Sequence, residues 1–333
     1  MPLISTDIQQ QISDRIEEEF SKLDLPKNPH SLYDPVCYTL SLGGKRIRPY
    51  FTLSACGICG GSIKEAVPAA IAIELLHNFT LLHDDIMDSA STRRGKPSVF
   101  KKWDASTAIL SGDAMYAWAF GQLQYYGKSE QFSKEQYCSI LDIFLDSAKT
   151  VCEGQASDLE FEDETTVSID DYLNMIHGKT AALITGAFMM GGTASGASAD
   201  KIERLKSTGK HVGIGFQIQD DLLDVVADPE KFGKTLGGDI LEGKKTYLSI
   251  LSLKQAGPDN RDRLEHIFND ENLSANDVNE VIDIYRQLGI IEKAKETIKD
   301  HYNTAINQIK CFSSNPFKED LIEFLTNLKN REY

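Results

Sequence analysis

Three stretches of this chain are apolar on nearly every side of a helix: Val67 to Leu82, Ala181 to Met190 and Val212 to Val226. A helix without a polar face has to be enclosed by other elements. The remaining sequence supplies the enclosure. Ile8, Ile12, Ile16 and Phe20 recur every four residues, one apolar stripe backed by Glu and Lys. Ser168-Ile-Asp-Asp171 is a capping-box-like start followed by Tyr172, Leu173, Met175 and Ile176. Ser274-Ala-Asn-Asp277 opens a further helix through Val278, Val281, Ile282 and Tyr285, and Gly289 sits where a C-terminal glycine belongs. No run alternates apolar and polar residues between turn signals as a sheet would. The expectation is an all-α, single-domain protein over residues 1–333, with buried helices ringed by amphipathic ones. Pro and Gly cluster at Pro26 to Pro35, Gly191 to Gly196, Gly233 to Gly243 and Gly257 to Asn260, all too short for interdomain linkers.

Charge and composition narrow the function. With 333 residues the chain can bury a large core without disulfides or a structural metal. Its 35 basic and 50 acidic residues give a net charge of -15, which argues against a nucleic-acid partner, whose binding needs a basic footprint. No stretch of about 18 uninterrupted apolar residues exists, so no integral membrane segment is expected. Met1 to Lys22 is acidic and amphipathic, unlike a signal or transit peptide. The six cysteines (Cys37, Cys56, Cys59, Cys138, Cys152 and Cys311) are scattered. Cys56 and Cys59 form a C-x-x-C without the second pair that zinc requires. Buried structural thiols and a reducing, cytoplasmic home are the expectation.

The strongest chemical signal is Leu81-Leu-His-Asp84-Asp85-Ile-Met-Asp88 at the end of an apolar helix. Asp84 and Asp88 are four apart, so a helix presents both carboxylates on one face. Gln217-Ile-Gln-Asp220-Asp221-Leu-Leu-Asp224 repeats the spacing, again ending an apolar run. Like charges four apart repel, and carboxylates beside a buried run cost more unless neutralised. One such cluster reads most simply as a solvated helix end. Two point to divalent cations. Carboxylate ligands without clustered His or Cys favour Mg²⁺, with Mn²⁺ possible, over Zn²⁺. Mg²⁺ commonly completes its shell with water and phosphate oxygens, so the expected guest is phosphorylated.

Cations stand near glycines: Gly43-Gly-Lys45-Arg-Ile-Arg48, Arg93-Arg94-Gly95, Gly178-Lys179-Thr180, and Lys234 and Lys244-Lys245 after the second acidic set. Singly each reads as surface charge. Placed after the acidic sets they suit a diphosphate, which arginine forks grip and a small backbone lets approach.

In this order, G-G-K-x-I-R-P, H-D-D-x-x-D-x-x-x-x-R-R-G, G-K-T and F-Q-x-x-D-D-x-x-D resemble the trans-isoprenyl diphosphate synthases, or polyprenyl synthetases. The motifs span Leu42 to Leu248. The resemblance implies an orthogonal all-α bundle around a deep central cavity, with the acidic sets at its mouth. It implies that Asp84, Asp88 and Asp220 ligate three Mg²⁺ ions on an allylic diphosphate, with Asp85, Asp221 and Asp224 supporting them through water or hydrogen bonds. Arg93, Lys179, Thr180, Gln217, Lys234 and Lys244 match positions around the allylic substrate, with Lys244 or Lys245 open at the last. Lys45, Arg48, His77 and Arg94 match those for isopentenyl diphosphate. The implied reaction is head-to-tail (1'-4) condensation: the allylic C–O bond ionises, the isopentenyl double bond attacks the cation, and a proton leaves to the departed diphosphate. Thr180 and Gln217 oxygens stabilise the cation. A homodimer is the family's common state, and Ala105 to Phe120 is the segment that offers an interface.

Parts of the pattern fit other proteins as well. Glu74-Leu-Leu-His77 also matches the E-x-x-H of di-iron bundles, but no second copy exists; a satisfied core histidine is the plainer alternative. A class I terpene cyclase shares the first acidic set, yet would lack the second one and the Lys45/Arg48 site. A non-catalytic subunit of a heteromeric synthase would lose an acidic set, and a helical scaffold would explain neither. Product length rests on Phe79, five residues before Asp84 and about 7.5 Å deeper along the helix. In the family an aromatic there often stops the chain near twenty carbons, which gives geranylgeranyl diphosphate as the expected product, with farnesyl or longer products as alternatives. Thr80 is small and lies most directly beneath Asp84. The C-terminal segment after Cys311 reads equally as a cap on the site or a frayed helix.

Overall fold

The computed structural model describes residues 7–226, 236–270 and 273–331, and these are helical almost throughout. The helices are α1 (Asp7–Ser21), α2 (His30–Ser41), α3 (Ile47–Ile58), α4 (Ile63–Met87), α5 (Val99–Lys102), α6 (Ala105–Lys128), α7 (Lys134–Asp163) and α8 (Ile169–Ile176). A π-helical turn, His177–Ala181, leads into α9 (Ala182–Ala194) and α10 (Ala199–Val226). Then come α11 (Gly238–Leu241), α12 (Tyr247–Gln255), α13 (Pro258–Phe268), α14 (Ala275–Gln287), α15 (Ile290–Lys310) and α16 (Pro316–Lys329). The described residues form two compact units.

The first unit comprises Met1–Ala148, Leu183–Lys206 and Phe312–Leu321. Its principal helix is α4, which packs against α6 and α3. Ile73, Leu75 and Leu76 of α4 are almost wholly buried, each contributing about 1.5–3 kcal/mol. The buried side of α6 carries the small residues Ala108, Ser111, Gly112 and Ala119 beside Met115, and a Cβ at Gly112 would stand 2.6 Å from His83 Nε2 of α4, so the two helices approach closely. By length and composition α4 would also suffice to cross a membrane, but 67% of its most apolar window is buried inside the protein, as in a core helix. The N-terminal stripe behaves as read, with Ile12 and Ile16 of α1 buried and α1 lying on α3 and α4. Phe51 stacks on Phe188, ring centroids 4.6 Å apart.

Two expectations need correcting in this unit. A two-residue antiparallel ladder pairs β1 (Thr92–Arg93) with β2 (Lys96–Pro97), too short to show alternation in sequence. The turn between them has positive φ at both central residues, Arg94 (54°) and Gly95 (73°), the signature of a type I′ hairpin. The cysteines also differ. Here Cys56 is buried and Cys59 half-buried, but Cys37 and Cys138 are exposed, as are Cys152 and Cys311 of the second unit. Cys37, Cys138 and Cys152 lie on the outer phase of their helices and Cys311 just beyond the end of α15, and these positions override the general tendency of thiols to be inside.

The second unit comprises Lys149–Ala182, Ser207–Cys311 and Ile322–Tyr333. Both expected capping boxes form, at Ser168–Asp171 and Ser274–Asp277, and Gly289 takes the left-handed conformation (φ 67°) between α14 and α15. The backbone of the π turn lies directly on α7. A Cβ at Gly154 would stand 2.1 Å from the Lys179 nitrogen, so only glycine permits the approach. The C-terminal segment is helical in α16, with Leu325 and Leu328 buried and the Leu328 carbonyl accepting from Gln219 Nε2 at 2.9 Å.

Candidate active site

In the first unit the acidic motif closes α4. Asp88 N donates to the Asp84 carbonyl at 2.8 Å, so helical phase persists to Asp88 and stacks the two carboxylate-bearing positions on one face. Asp84 is half-buried and Asp88 exposed, whereas Asp85 is buried. Asp85 Oδ1 accepts from Arg93, through Nε at 2.9 Å and through Nη2. Burial pushes the Asp85 carboxyl above its usual range and Arg93 pulls it back. The hairpin thus gives Arg93 and Arg94 different tasks. Arg93 turns to the motif, and Arg94 donates to the Gly43 carbonyl in the G-G-K loop.

His77 is the focus of this positive ground. Burial, then Arg48, Arg94, Arg93 and Arg46, hold its imidazole well below the ordinary histidine value, so it is neutral at pH 7. Lys45 is exposed and Arg48 half-buried. The Nε of Arg48 is buried without a hydrogen-bond partner, an unusual state for a guanidinium donor and one that an anionic oxygen would relieve. Asn78 was not singled out from sequence. It is wholly buried, its Oδ1 has no partner, and it lines a small pocket with Asp85, Arg93 and Arg94. Phe79 packs on His83 (centroids 4.6 Å) and Tyr116 (5.3 Å), and Tyr116 stacks on Phe144 at 6.0 Å. The Thr80 hydroxyl bonds its own helix, at the His77 carbonyl (2.8 Å).

The second unit brings together Thr180, Gln217 and Asp221. Thr180 Oγ1 donates to Gln217 Oε1 at 2.7 Å, and Gln217 Nε2 donates to Asp221 Oδ1 at 3.1 Å. The other Asp221 oxygen accepts from the Tyr172 hydroxyl at 2.5 Å and from Tyr247 N at 3.1 Å. Burial raises the Asp221 carboxyl, opposed by these donors, and drives the Tyr172 phenol well above 10. Lys179 Nζ pairs with Asp158 Oδ2 at 2.5 Å. Asp220 is exposed, with Arg331 close enough for the two charges to interact. Asp224 accepts from Asp239 N at 3.0 Å, and Asp239 is pushed up to about 7 by burial and by Asp224 and Asp221. Lys244 Nζ lies 2.5 Å from Glu242 and 3.9 Å from Asp239. Lys245 Nζ is committed to the Phe161 carbonyl at 2.5 Å, so of the two lysines Lys244 is the one beside the acidic cluster. Lys234 lies outside the described residues.

Sequence reasoning missed Asp158, Tyr172 and Asp239. Tyr172 reads in sequence as an apolar-face residue of its helix. Asp239 carries a usable signal, a lone carboxylate among the glycines after the second motif. Asp158 carries none.

The donor atoms decide which metal suits these residues. Among the described residues no three His, Cys, Asp or Glu side chains are already gathered as a metal site. The motifs offer hard carboxylate oxygens in ones and twos, as Mg²⁺ uses when water and phosphate fill the remaining positions. The donor set fits such an ion in company with a diphosphate.

Comparison with known proteins agrees with this chemistry. Residues 29–285 match the family model described as polyprenyl synthetase. The chain is 37% identical to a short chain isoprenyl diphosphate synthase of Methanothermobacter thermautotrophicus, over 96% of this chain and 95% of that protein. A crystal structure of geranylgeranyl pyrophosphate synthetase from Pyrococcus horikoshii is 36% identical, with a TM-score of 0.89 over 97% of this chain and 99% of that one. A polyprenyl synthase from Caulobacter crescentus, solved with calcium and isoprenyl diphosphate, is 27% identical, with a TM-score of 0.81 over 98% and 94% of the two chains.

Proposed function

This chain belongs to the polyprenyl synthetase family and is a prenyltransferase, and on that premise we propose that it condenses isopentenyl diphosphate head-to-tail with allylic diphosphates, giving geranylgeranyl diphosphate. The observation that carries the site reading is shared by both acidic motifs. In each, the second aspartate is buried and tied by protein donors: Asp85 by Arg93, and Asp221 by Tyr172, Gln217 and Tyr247. In each, an outer aspartate, Asp88 or Asp220, is exposed. A solvated helix end would have no reason to bury and satisfy its middle carboxylate.

Asp84, Asp88 and Asp220 would hold Mg²⁺, supported by Asp85, Asp221 and Asp224; when bound, the ions neutralise diphosphate charge as Lewis acids. The protein's own cations do the rest. Arg93, Lys179 and Lys244 bind the allylic diphosphate and stabilise it as its C–O bond breaks. Arg93 and Lys179 are preoriented by their carboxylates, so little reorganisation is needed. The allylic cation lies against the Thr180 and Gln217 oxygens. Lys45, Arg48, neutral His77 and Arg94 hold isopentenyl diphosphate so that its double bond attacks, and the proton then lost passes to the departed diphosphate. Phe79, backed by Tyr116, limits the product. The free, exposed thiols fit a reducing cytoplasm, and the exposed apolar side chains of α6 fit a homodimer.

The test is product analysis with isopentenyl diphosphate, Mg²⁺ and each short allylic primer. The expected result is accumulation of the twenty-carbon diphosphate, abolished by a chelator. Primer consumption without isopentenyl diphosphate would indicate a cyclase. Activity only with a second chain would indicate a partner subunit.

A further inference from the structure

Of the three cations that follow Gly43 and Gly44, one has a different task. Arg46 immediately precedes α3 and has a left-handed backbone, φ 46°. For a residue with a β-carbon this costs about 1–2 kcal/mol and persists only where the surroundings over-determine it. They do so here. The guanidinium is buried and donates through Nη1 to Glu74 Oε1 at 3.0 Å, through Nε to Glu17 Oε1 at 3.2 Å, and through Nη2 to the Leu40 carbonyl at 3.2 Å. It also lies 4.5 Å from the centroid of the Phe20 ring. These partners come from α1, α2 and α4. The fork is therefore committed in three directions with a ring on one face, and no substrate oxygen is needed to satisfy it.

The neighbours of Arg46 differ. Lys45 is exposed, and Arg48 keeps a buried Nε without a partner. Glu74, the buried partner of Arg46, lies three residues before His77 on α4, the same helical face one turn away. The anchor of the loop and the imidazole of the site thus share one rigid element.

We propose that Arg46 is a positioning residue for isopentenyl diphosphate: it pins the left-handed kink to α1, α2 and α4 and so fixes where Lys45 and Arg48 present their charges. The N-terminal helix α1 then acts as a clamp on this loop through Glu17 and Phe20. This inference rests on the reading that Lys45 and Arg48 bind isopentenyl diphosphate.

The test is steady-state kinetics with each substrate varied separately, alongside the thermal midpoint. Arg46→Gly keeps the left-handed backbone and removes the fork. Glu17→Ala/Phe20→Ala releases only the clamp and keeps the buried Arg46–Glu74 pair, so it retains the fold. Both should raise KM for isopentenyl diphosphate about tenfold and leave KM for the allylic primer within about twofold. Arg46→Lys, which keeps one charge-assisted contact, should fall between wild type and Arg46→Gly. Unchanged KM for isopentenyl diphosphate in the clamp variant and in Arg46→Gly would overturn the proposal. So would an equal rise in both KM values with a lowered midpoint, which marks general destabilisation. Lys45→Ala in the same assay separates the premise. If it raises KM for isopentenyl diphosphate while the Arg46 and clamp variants do not, only the positioning role falls. If it leaves that KM unchanged, the site assignment falls and the positioning role with it.

Discussion

Asp221 is a carboxylate 5% exposed whose two oxygens are held by Gln217, Tyr172 and the Tyr247 backbone. Tyr172→Phe would remove one of these donors without changing shape. Stability should fall by about 1.5–3 kcal/mol, the worth of one hydrogen bond to a charged group, since Tyr247 N still serves the same oxygen, and turnover should fall because Gln217 and Thr180 are aligned through the same carboxylate. The pH dependence has a definite sign. The Tyr172 hydrogen bond favours ionised Asp221 against a burial that raises its pKa. The deficit of Tyr172→Phe should therefore be largest where Asp221 is ionised and shrink as pH falls and the carboxyl takes a proton, as thermal melts of the two proteins would show. His301 gives the opposite case for a base. Its Nδ1 lies 3.0 Å from that of His211, and burial and His211 lower its pKa to about 4. Below about pH 6.5 the unfolded chain binds a proton that the folded chain refuses, so stability is lost as pH falls from there toward 4. His301→Gln should show a smaller drop in thermal midpoint between pH 7 and pH 5 than wild type. At this scale the sequence disclosed the acidic spacing but not which aspartate is tied down, because the partners come from distant positions: Tyr172 for Asp221, Asp158 for Lys179.

Among the elements, α4 and the caps were legible because each depends on residues within a turn or two: an unbroken apolar run, Ser168 with Asp171, Ser274 with Asp277, Gly289 after α14. The π turn was not. Nothing local in His-Gly-Lys-Thr-Ala requires five-residue hydrogen bonding, and the run from Ala181 reads as ordinary helix. The turn lies where α7 approaches it, with Gly154 and Gly178 backbone to backbone, a contact between distant positions that local sequence does not show. A methyl group at Gly154 would overlap the Lys179 nitrogen at 2.1 Å and the Gly178 carbonyl carbon at 2.5 Å. Gly154→Ala should thus displace Lys179 and Thr180 together, lowering turnover by about 10- to 100-fold and stability by about 1–3 kcal/mol, read by single-turnover kinetics and denaturant titration. On α4 the proposed stop for product length can be tested by its packing. Phe79 rests on Tyr116, which is itself backed by the buried ring of Phe144. Phe79→Ala opens space up to Tyr116, so the product profile by chromatography should shift toward longer chains; an unchanged profile would remove Phe79 as the stop.

For the molecule as a whole, the all-α class followed from helix periodicity because that signal is summed over the entire chain, and family motifs extended it to chemistry. Surfaces are less legible, since an apolar residue on an outer face looks in sequence like one in the core. The segment Ala105 to Phe120 shows this. Its helix, α6, buries Ala108, Ser111, Gly112, Met115 and Ala119, while Leu110 is 60% exposed, Ile109 43% and Phe120 37%. Leu110 lies opposite the buried face of the helix, and Ile109 and Phe120 lie on its flank. Exposing several large apolar side chains on one helix costs free energy that a second copy of the chain would recover, and in a two-fold dimer the patch is buried twice. A charge at Leu110 discriminates sharply. On a free surface, Leu110→Glu falls among substitutions worth within about 0.5 kcal/mol; across a two-fold interface it introduces two unpaired carboxylates at once. Light scattering at micromolar concentration should give twice the chain mass for wild type and the single-chain mass for Leu110→Glu/Phe120→Glu. The thermal midpoint should become independent of concentration only in the variant. A wild type with the mass of one chain would show that this face is left open to solvent.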